Sequence, residues 1–220
     1  MKNIILFICT IFPSNLRLFV WRLLGFKVGK RAHVSILSLV VADFIDIGSG
    51  ATIDSFTFIY RPSNLIIGKR ARIGSFIRII GWRGDINLGP QTLLALGCLI
   101  DSTGGFSLGS KSQIGPRSIV YTHGDSSLSF NVKYPIRNGP VIIGDNTWIG
   151  MNCIICAQVA IGGSTKIYNN VILGGQSGII DNLKIHDNAI VGPKSFIVKS
   201  IKKGSYVSGN PAINHKDNIK

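Results

Sequence analysis

The stretch "VIIGDNTWIGMNCIICAQVAIGGSTKIYNNVILGGQSGIIDNLKIHDNAIVGPKSFIVKS", Val141 to Ser200, decides the fold. An aliphatic residue recurs at every sixth position: Ile143, Ile149, Ile155, Ile161, Ile167, Leu173, Ile179, Ile185, Val191 and Ile197. Four places after most of them stands a small or β-branched residue, such as Thr147, Cys153, Val159, Thr165, Val171, Ser177, Ala189 or Ser195. A helix repeats at about 3.6 residues and a lone strand at about 2, so a beat of six is neither. A short strand and a corner every six residues satisfy it. The aliphatic side chain points inward, the small residue fits inside the bend, and a following glycine such as Gly144, Gly150 or Gly174 relieves the corner. Three units close a triangular coil, and successive coils stack as parallel strands that bury their apolar sides against one another. The predicted class is all-β: a hexapeptide parallel β-helix.

Upstream the unit recurs in pairs, at Ile47/Ile53, Ile67/Ile73, Leu88/Leu94 and Leu108/Ile114. Between Leu108 and Ile143 the interval is too long for one coil, and the interruption opens on His123 in "YTHGD". The chain therefore divides into an N-terminal segment, 1–33, a β-helix over 34–201 with a loop excursion at 124–140, and a tail, 202–220.

The composition narrows the partners. The 220 residues carry a net charge of +14, which suits phosphate-bearing molecules, an anionic membrane surface or nucleic acid. The basic residues form no long run and no aromatics interleave with them, which argues against nucleic acid. Four scattered cysteines, Cys9, Cys98, Cys153 and Cys156, give no disulfide framework and point to a reducing, cytoplasmic compartment. Cys153 and Cys156 form a single C-x-x-C without a second pair, and four histidines supply no metal-ligand spacing, so no metal is expected.

At the N-terminus the apolar run from Ile4 to Phe12 is too short to span a bilayer and lacks a cleavage signal. From Asn15 to Phe26 the pattern is helical, with Leu16, Phe19, Val20, Leu23 and Leu24 on one face, Arg17 and Arg22 off it, and Gly25 as a stop. Two roles remain open for this helix: a cap over one end of the domain, or an interfacial helix peripheral to an anionic membrane at the inner face of the cell.

The repeat resembles that of the hexapeptide-repeat acyltransferases over roughly Val34 to Ala212, most closely in "IGDNTWIG", "VILGGQSGIIDNLKI" and the closing "GNPA". These strings are similar to those of maltose, galactoside and serine acetyltransferases, of polysaccharide O-acetyltransferases and of lipid A acyltransferases. The resemblance implies a left-handed β-helix, a homotrimer, and acetyl-CoA as acyl donor bound between adjacent prisms. It also implies that His123 is the general base, the residue type a hydroxyl acceptor needs near neutral pH. Asp125 is a candidate for orienting the ring or holding the acceptor. Residues matching the family's acetyl-CoA contacts are Met151, Pro193, Val198 and Lys199, with Trp148 near the groove. Proline stands at 193 where most relatives have a small residue, and valine at 198 where most have threonine. The expected activity is O-acetylation of a sugar hydroxyl in surface-polysaccharide biosynthesis. N-acetylation of an amino sugar or a xenobiotic, and a catalytically silent scaffold, are the alternatives.

Overall fold

A computed structural model describes residues 2–124, 137–156, 165–180 and 182–218. Among them, three sheets of eight, ten and eight strands form the faces of a solenoid. The first face runs from Lys27–Val28 to Lys184–Ile185, the second from His33–Val34 onward, and the third from Leu39–Val41 to Phe196–Ile197. Like residues stack on like: Leu94 is registered between Ile73 and Ile114, and Ile155 between Val120 and Ile179. The described aliphatic positions of the sixfold beat, from Ile143 to Ile197, are all buried, as are Thr147, Cys153, Thr165, Val171, Ser177, Ala189 and Ser195. Ile161 and Val159 lie outside the described residues. Each inward isoleucine or leucine contributes about 1.5–3 kcal/mol by leaving water, repeated coil after coil.

The upstream pairs are in fact triplets. Ile59, Ile79, Ile100 and Val120 form the third inward column and are fully buried. They follow Ile53, Ile73, Leu94 and Ile114 at the same sixfold step. The step fails only on leaving the third face, as from Ile59 to Ile67, Ile79 to Leu88, Ile100 to Leu108, Val120 to Ile143 and Ile155 to Ile167. Every additional residue thus enters at one corner, between the third face and the first. The excursion that opens at His123 is the largest of these insertions.

The corner glycines act differently from expectation. The left-handed conformation at the corners is held by other residues, including Asn146, Asn152, Asn170, Gln176, Asn188 and Lys194, with φ between 53° and 61°. Asparagine tolerates this region better than most side chains. The glycines that follow the inward residue are required by close approach instead. A Cβ on Gly144 would lie 2.6–2.8 Å from atoms of Tyr168 and Asn169 in the next coil.

Both ends of the column are covered. At the C-terminal end, part of the expected tail joins the structure: Tyr206–Ser208 extends the second face, and Ile213–Asn214 folds back antiparallel to it. At the N-terminal end two helices, α1 (Lys2–Ile8) and α2 (Ser14–Leu23), are joined by a 3-10 turn, Cys9–Ile11. Leu6, Leu18, Trp21 and Phe26 pack onto the core, and Gly25, at φ 87°, ends the second helix.

The face of α2 is inverted relative to its sequence pattern. Leu16, Phe19 and Leu23 are exposed, whereas Arg17 is buried with Leu18 and Trp21. Arg17 reaches inward because carbonyl groups await it. Its Nε donates to Cys9 O at 2.8 Å, Nη1 to Ser38 O and Ser38 Oγ at 3.0 Å each, and Nη2 to Thr10 O. Burial lowers the Arg17 pKa from its ordinary value, a cost offset by these donors and by a smaller contribution from Cys9.

Cys9, Cys98 and Cys153 are free thiols. Cys98 and Cys153 fill small inward positions. Burial pushes the Cys98 thiol up to about 11, and Cys153 moves in the same direction for the same reason.

Candidate active site

His123 leaves the last strand before the excursion, Ile119–Tyr121, and begins a two-residue antiparallel ladder in which it pairs with Asn138 and Gly124 pairs with Arg137. Gly139 N–H donates to Thr122 O at 3.0 Å. The excursion therefore returns to its starting point at the third-to-first corner. Asp125 and Lys133 lie outside the described residues.

The partner of His123 comes from the coil above. His123 Nδ1 lies 2.5 Å from Asp101 Oδ2, with the imidazole 29% and the carboxylate 5% exposed. Asp101 follows the inward Ile100 and sits one coil before Tyr121, so stacking brings together residues distant in sequence. Asp101 Oδ2 also accepts from Thr122 N at 3.0 Å and Thr122 Oγ1 at 3.1 Å. Oδ1 accepts from Thr103 N at 3.1 Å and Thr103 Oγ1 at 2.7 Å. Burial by itself would raise the carboxyl's pKa, but the donors from His123, Thr103 and Thr122 together hold it below its ordinary value. An ionised carboxylate only accepts, so the His123 nitrogen facing it, Nδ1, carries hydrogen and donates.

Gly104 completes the corner. Its N–H donates to Thr122 Oγ1 at 2.8 Å, and a Cβ there would come within 2.4 Å of Thr122 O and 2.6 Å of Gly139 O. No side chain fits between the Asp101 turn and the root of the excursion.

Three grooves run along the same part of the column, although neither His123 nor Asp101 lines them. The largest, about 660 Å³, lies on the third face between Asn152 and Cys156 and extends over Gln176, Ile180, Lys194 and Phe196. Cys156 is registered with Tyr121, two residues before His123. A second groove, about 260 Å³, holds Trp148 and Met151 beside Pro116 and Gly175. A third, polar groove of about 440 Å³ follows the His123 corner, lined by Arg83, Asp85, Asn87, Thr103, Ser107 and Pro140.

The residues suggested for the acyl donor are thus only partly gathered. Trp148 and Met151 share the second groove, at the edge of the third face opposite His123. Pro193 is exposed at the same corner, two coils beyond Met151. Val198 is half-buried and Lys199 exposed, both beyond the last strand of that face. Lys194 lines the large groove and was not singled out from sequence. Nor was Asp101. Its signal was its place one coil before the interrupted strand, since a carboxylate after an inward isoleucine also occurs at Asp46 and Asp54. Among the described residues no cluster of metal-ligating side chains occurs.

The fold is the parallel β-helix of the hexapeptide-repeat acyltransferases. No protein-family model and no curated protein sequence matches the chain, so this assignment comes from solved structures. UDP-N-acetylglucosamine O-acyltransferase from Moraxella catarrhalis is 20% identical, over 86% of this chain and 72% of its own, with a TM-score of 0.50. An Arabidopsis UDP-N-acetylglucosamine acyltransferase superposes at 0.67 with 15% identity, and the match covers 86% of this chain and 63% of the plant chain. The polysialic-acid-specific acetyltransferase NeuO matches over 86% of this chain and 83% of its own, at 15% identity and a TM-score of 0.50. Identities this low establish the architecture and leave the chemistry to the site.

Proposed function

We propose that the protein is an acetyl-CoA-dependent O-acetyltransferase that acts on a sugar hydroxyl in surface-polysaccharide biosynthesis. The observation that carries this reading is the His123–Asp101 pair. It is a half-exposed imidazole held by a buried carboxylate, placed where the polar groove meets the strand beside the large one.

In this mechanism the acceptor lies in the polar groove along the His123 corner, where Arg83, Asp85, Asn87 and Ser107 meet hydroxyl or phosphate groups. The pantetheine arm of acetyl-CoA follows the third face, whose groove joins the Trp148–Met151 edge to the strand below His123. Lys194 supports its phosphates as a point charge. His123 Nε2 takes the acceptor's proton as the hydroxyl oxygen attacks the thioester carbonyl. The new C–O ester bond forms, the C–S bond breaks, and the imidazolium gives that proton to the departing CoA sulfur. Asp101 fixes the tautomer and favours the transient cation, so it positions and supports the base without touching substrate. General-base assistance of this kind contributes about 10²–10⁴ in rate. Direct transfer needs no enzyme nucleophile. We place the assembly as a homotrimer, as the family resemblance implies, in the cytoplasm, as the scattered cysteines suggest.

The test is thiol release from acetyl-CoA across a panel of sugar acceptors. His123→Ala should lower turnover by about 10²-fold or more, and, because it removes one donor to buried Asp101, should lower the thermal melt by a few degrees without unfolding the chain. Turnover within a few-fold of wild type would remove the base assignment. If acetyl-CoA protects no residue of the third-face groove from hydrogen exchange, the scaffold reading takes its place.

A further inference from the structure

We infer that the outer surface of the N-terminal cap docks on an anionic lipid bilayer. A capping helix in water needs one apolar stripe, facing the core, with polar residues opposite. Here each helix carries two. The inner stripe is Leu6, Cys9, Leu18 and Trp21, all nearly fully buried. The outer stripe of the first helix and its 3-10 turn is Ile4, Phe7, Ile8 and Ile11, at 53–67% exposure and at helical spacing. On α2 it is Leu16, Phe19 and Leu23, at 45–72% exposure. The helix thus turned its more continuous apolar face outward and buried an arginine in order to do so.

The charge around these stripes selects the occupant. No acidic residue occurs before Asp43, whereas Lys2, Arg17, Arg22, Lys27, Lys30 and Arg31 precede it. Of these, Arg22, Lys27, Lys30 and Arg31 are exposed on α2 and the first coil. A second copy meeting this face across a twofold axis would set the same cations against one another. An anionic bilayer offers hydrocarbon to the stripes and phosphate to the cations at the same depth. The helices lie in the interface plane. No helix of the described residues is long and apolar enough to cross a membrane. The first and second helices, of 7 and 10 residues, extend only about 10 and 15 Å.

The experiment is flotation of the full chain with phosphatidylcholine vesicles, with and without roughly 30 mol% phosphatidylglycerol. Light scattering of the lipid-free protein runs in parallel. Wild type should float with the anionic vesicles and be released by salt. Ile11→Ser with Leu23→Ser, at the two most exposed apolar positions, should weaken binding at least about tenfold. Arg22→Gln with Lys30→Gln should weaken it by about fivefold per charge removed, an independent arm that leaves the apolar stripes intact. Equal flotation with neutral vesicles, or no flotation at all, would overturn the proposal. So would a wild-type assembly that shrinks in lipid-free solution when Ile11 and Leu23 become serine, because a second copy would then cover the face.

Discussion

Replacing Asp101 by asparagine isolates the charge at the centre of the site without altering its shape. Five donors converge on the two carboxylate oxygens: His123 Nδ1, both groups of Thr122 and both groups of Thr103. An amide has one oxygen. Turned toward Thr122 and His123, it sets its NH2 against the Thr103 N–H; turned the other way, it opposes the Thr122 N–H. Either orientation orphans a backbone donor at a buried corner and loses charge-assisted bonds, about 2–3 kcal/mol in all. For a chain of this length that is a fall of about 4–12 °C in Tm. The difference must depend on pH in one direction. The carboxyl is held below its ordinary value of ~3.9 in the folded protein, so its contribution is complete above that value. It is lost as pH falls through the lower folded value. Thermal melts of wild type and Asp101→Asn at about pH 7, 5 and 3.5 should show a full gap at the first two, narrowing only in acid. Equal melting at neutral pH, or a gap that persists unchanged into acid, would refute the ionised, fully accepting Asp101.

Two further outcomes follow from buried groups elsewhere. Arg17→Leu leaves the Ser38 carbonyl without a donor, strips the Cys9 and Thr10 carbonyls down to the backbone donors Phe12 N–H and Leu37 N–H, and should destabilise the cap by about 1–3 kcal/mol. It should be read as new tryptic cleavage near Arg22, with a smaller change in the main melt; a resistant N-terminal segment would contradict the role given to Arg17. The Cys98 thiol, pushed up to about 11 by burial, is thiolate in only about one molecule in a thousand at pH 8. It should stay unlabelled by a disulfide reagent in the folded protein and react once the chain is denatured.

The column was legible because an aliphatic residue recurs at every sixth place from Ile143 to Ile197, even though the strands place Ile167 directly after Ile155 at a double step. Upstream the same step reaches Ile59, Ile79, Ile100 and Val120, but the extra residues that follow each of them hide it. The upstream members of the third face were therefore not read as part of the beat, although they are as apolar as the others. His123 stood out as the last residue before the largest gap. Asp101 did not, because its partnership with His123 depends on the rise of one coil over another, which linear spacing does not display. The face of α2 was misread for a related reason: periodicity ranks side chains by apolarity, and three carbonyls in the fold outweighed the arginine's preference for water. Asp125, the alternative partner for the ring, falls outside the described residues.

Confinement of all insertions to one vertex separates the length of the chain from the height of the column. A segment added there displaces no stacked residue, so the edge carrying His123 can be rewritten while the other two vertices keep their step. Under the proposed function, acceptor preference becomes a module open to exchange by grafting loops at positions 61–63 and 81–85, with Asp101, Thr103 and Gly104 left in place to hold His123.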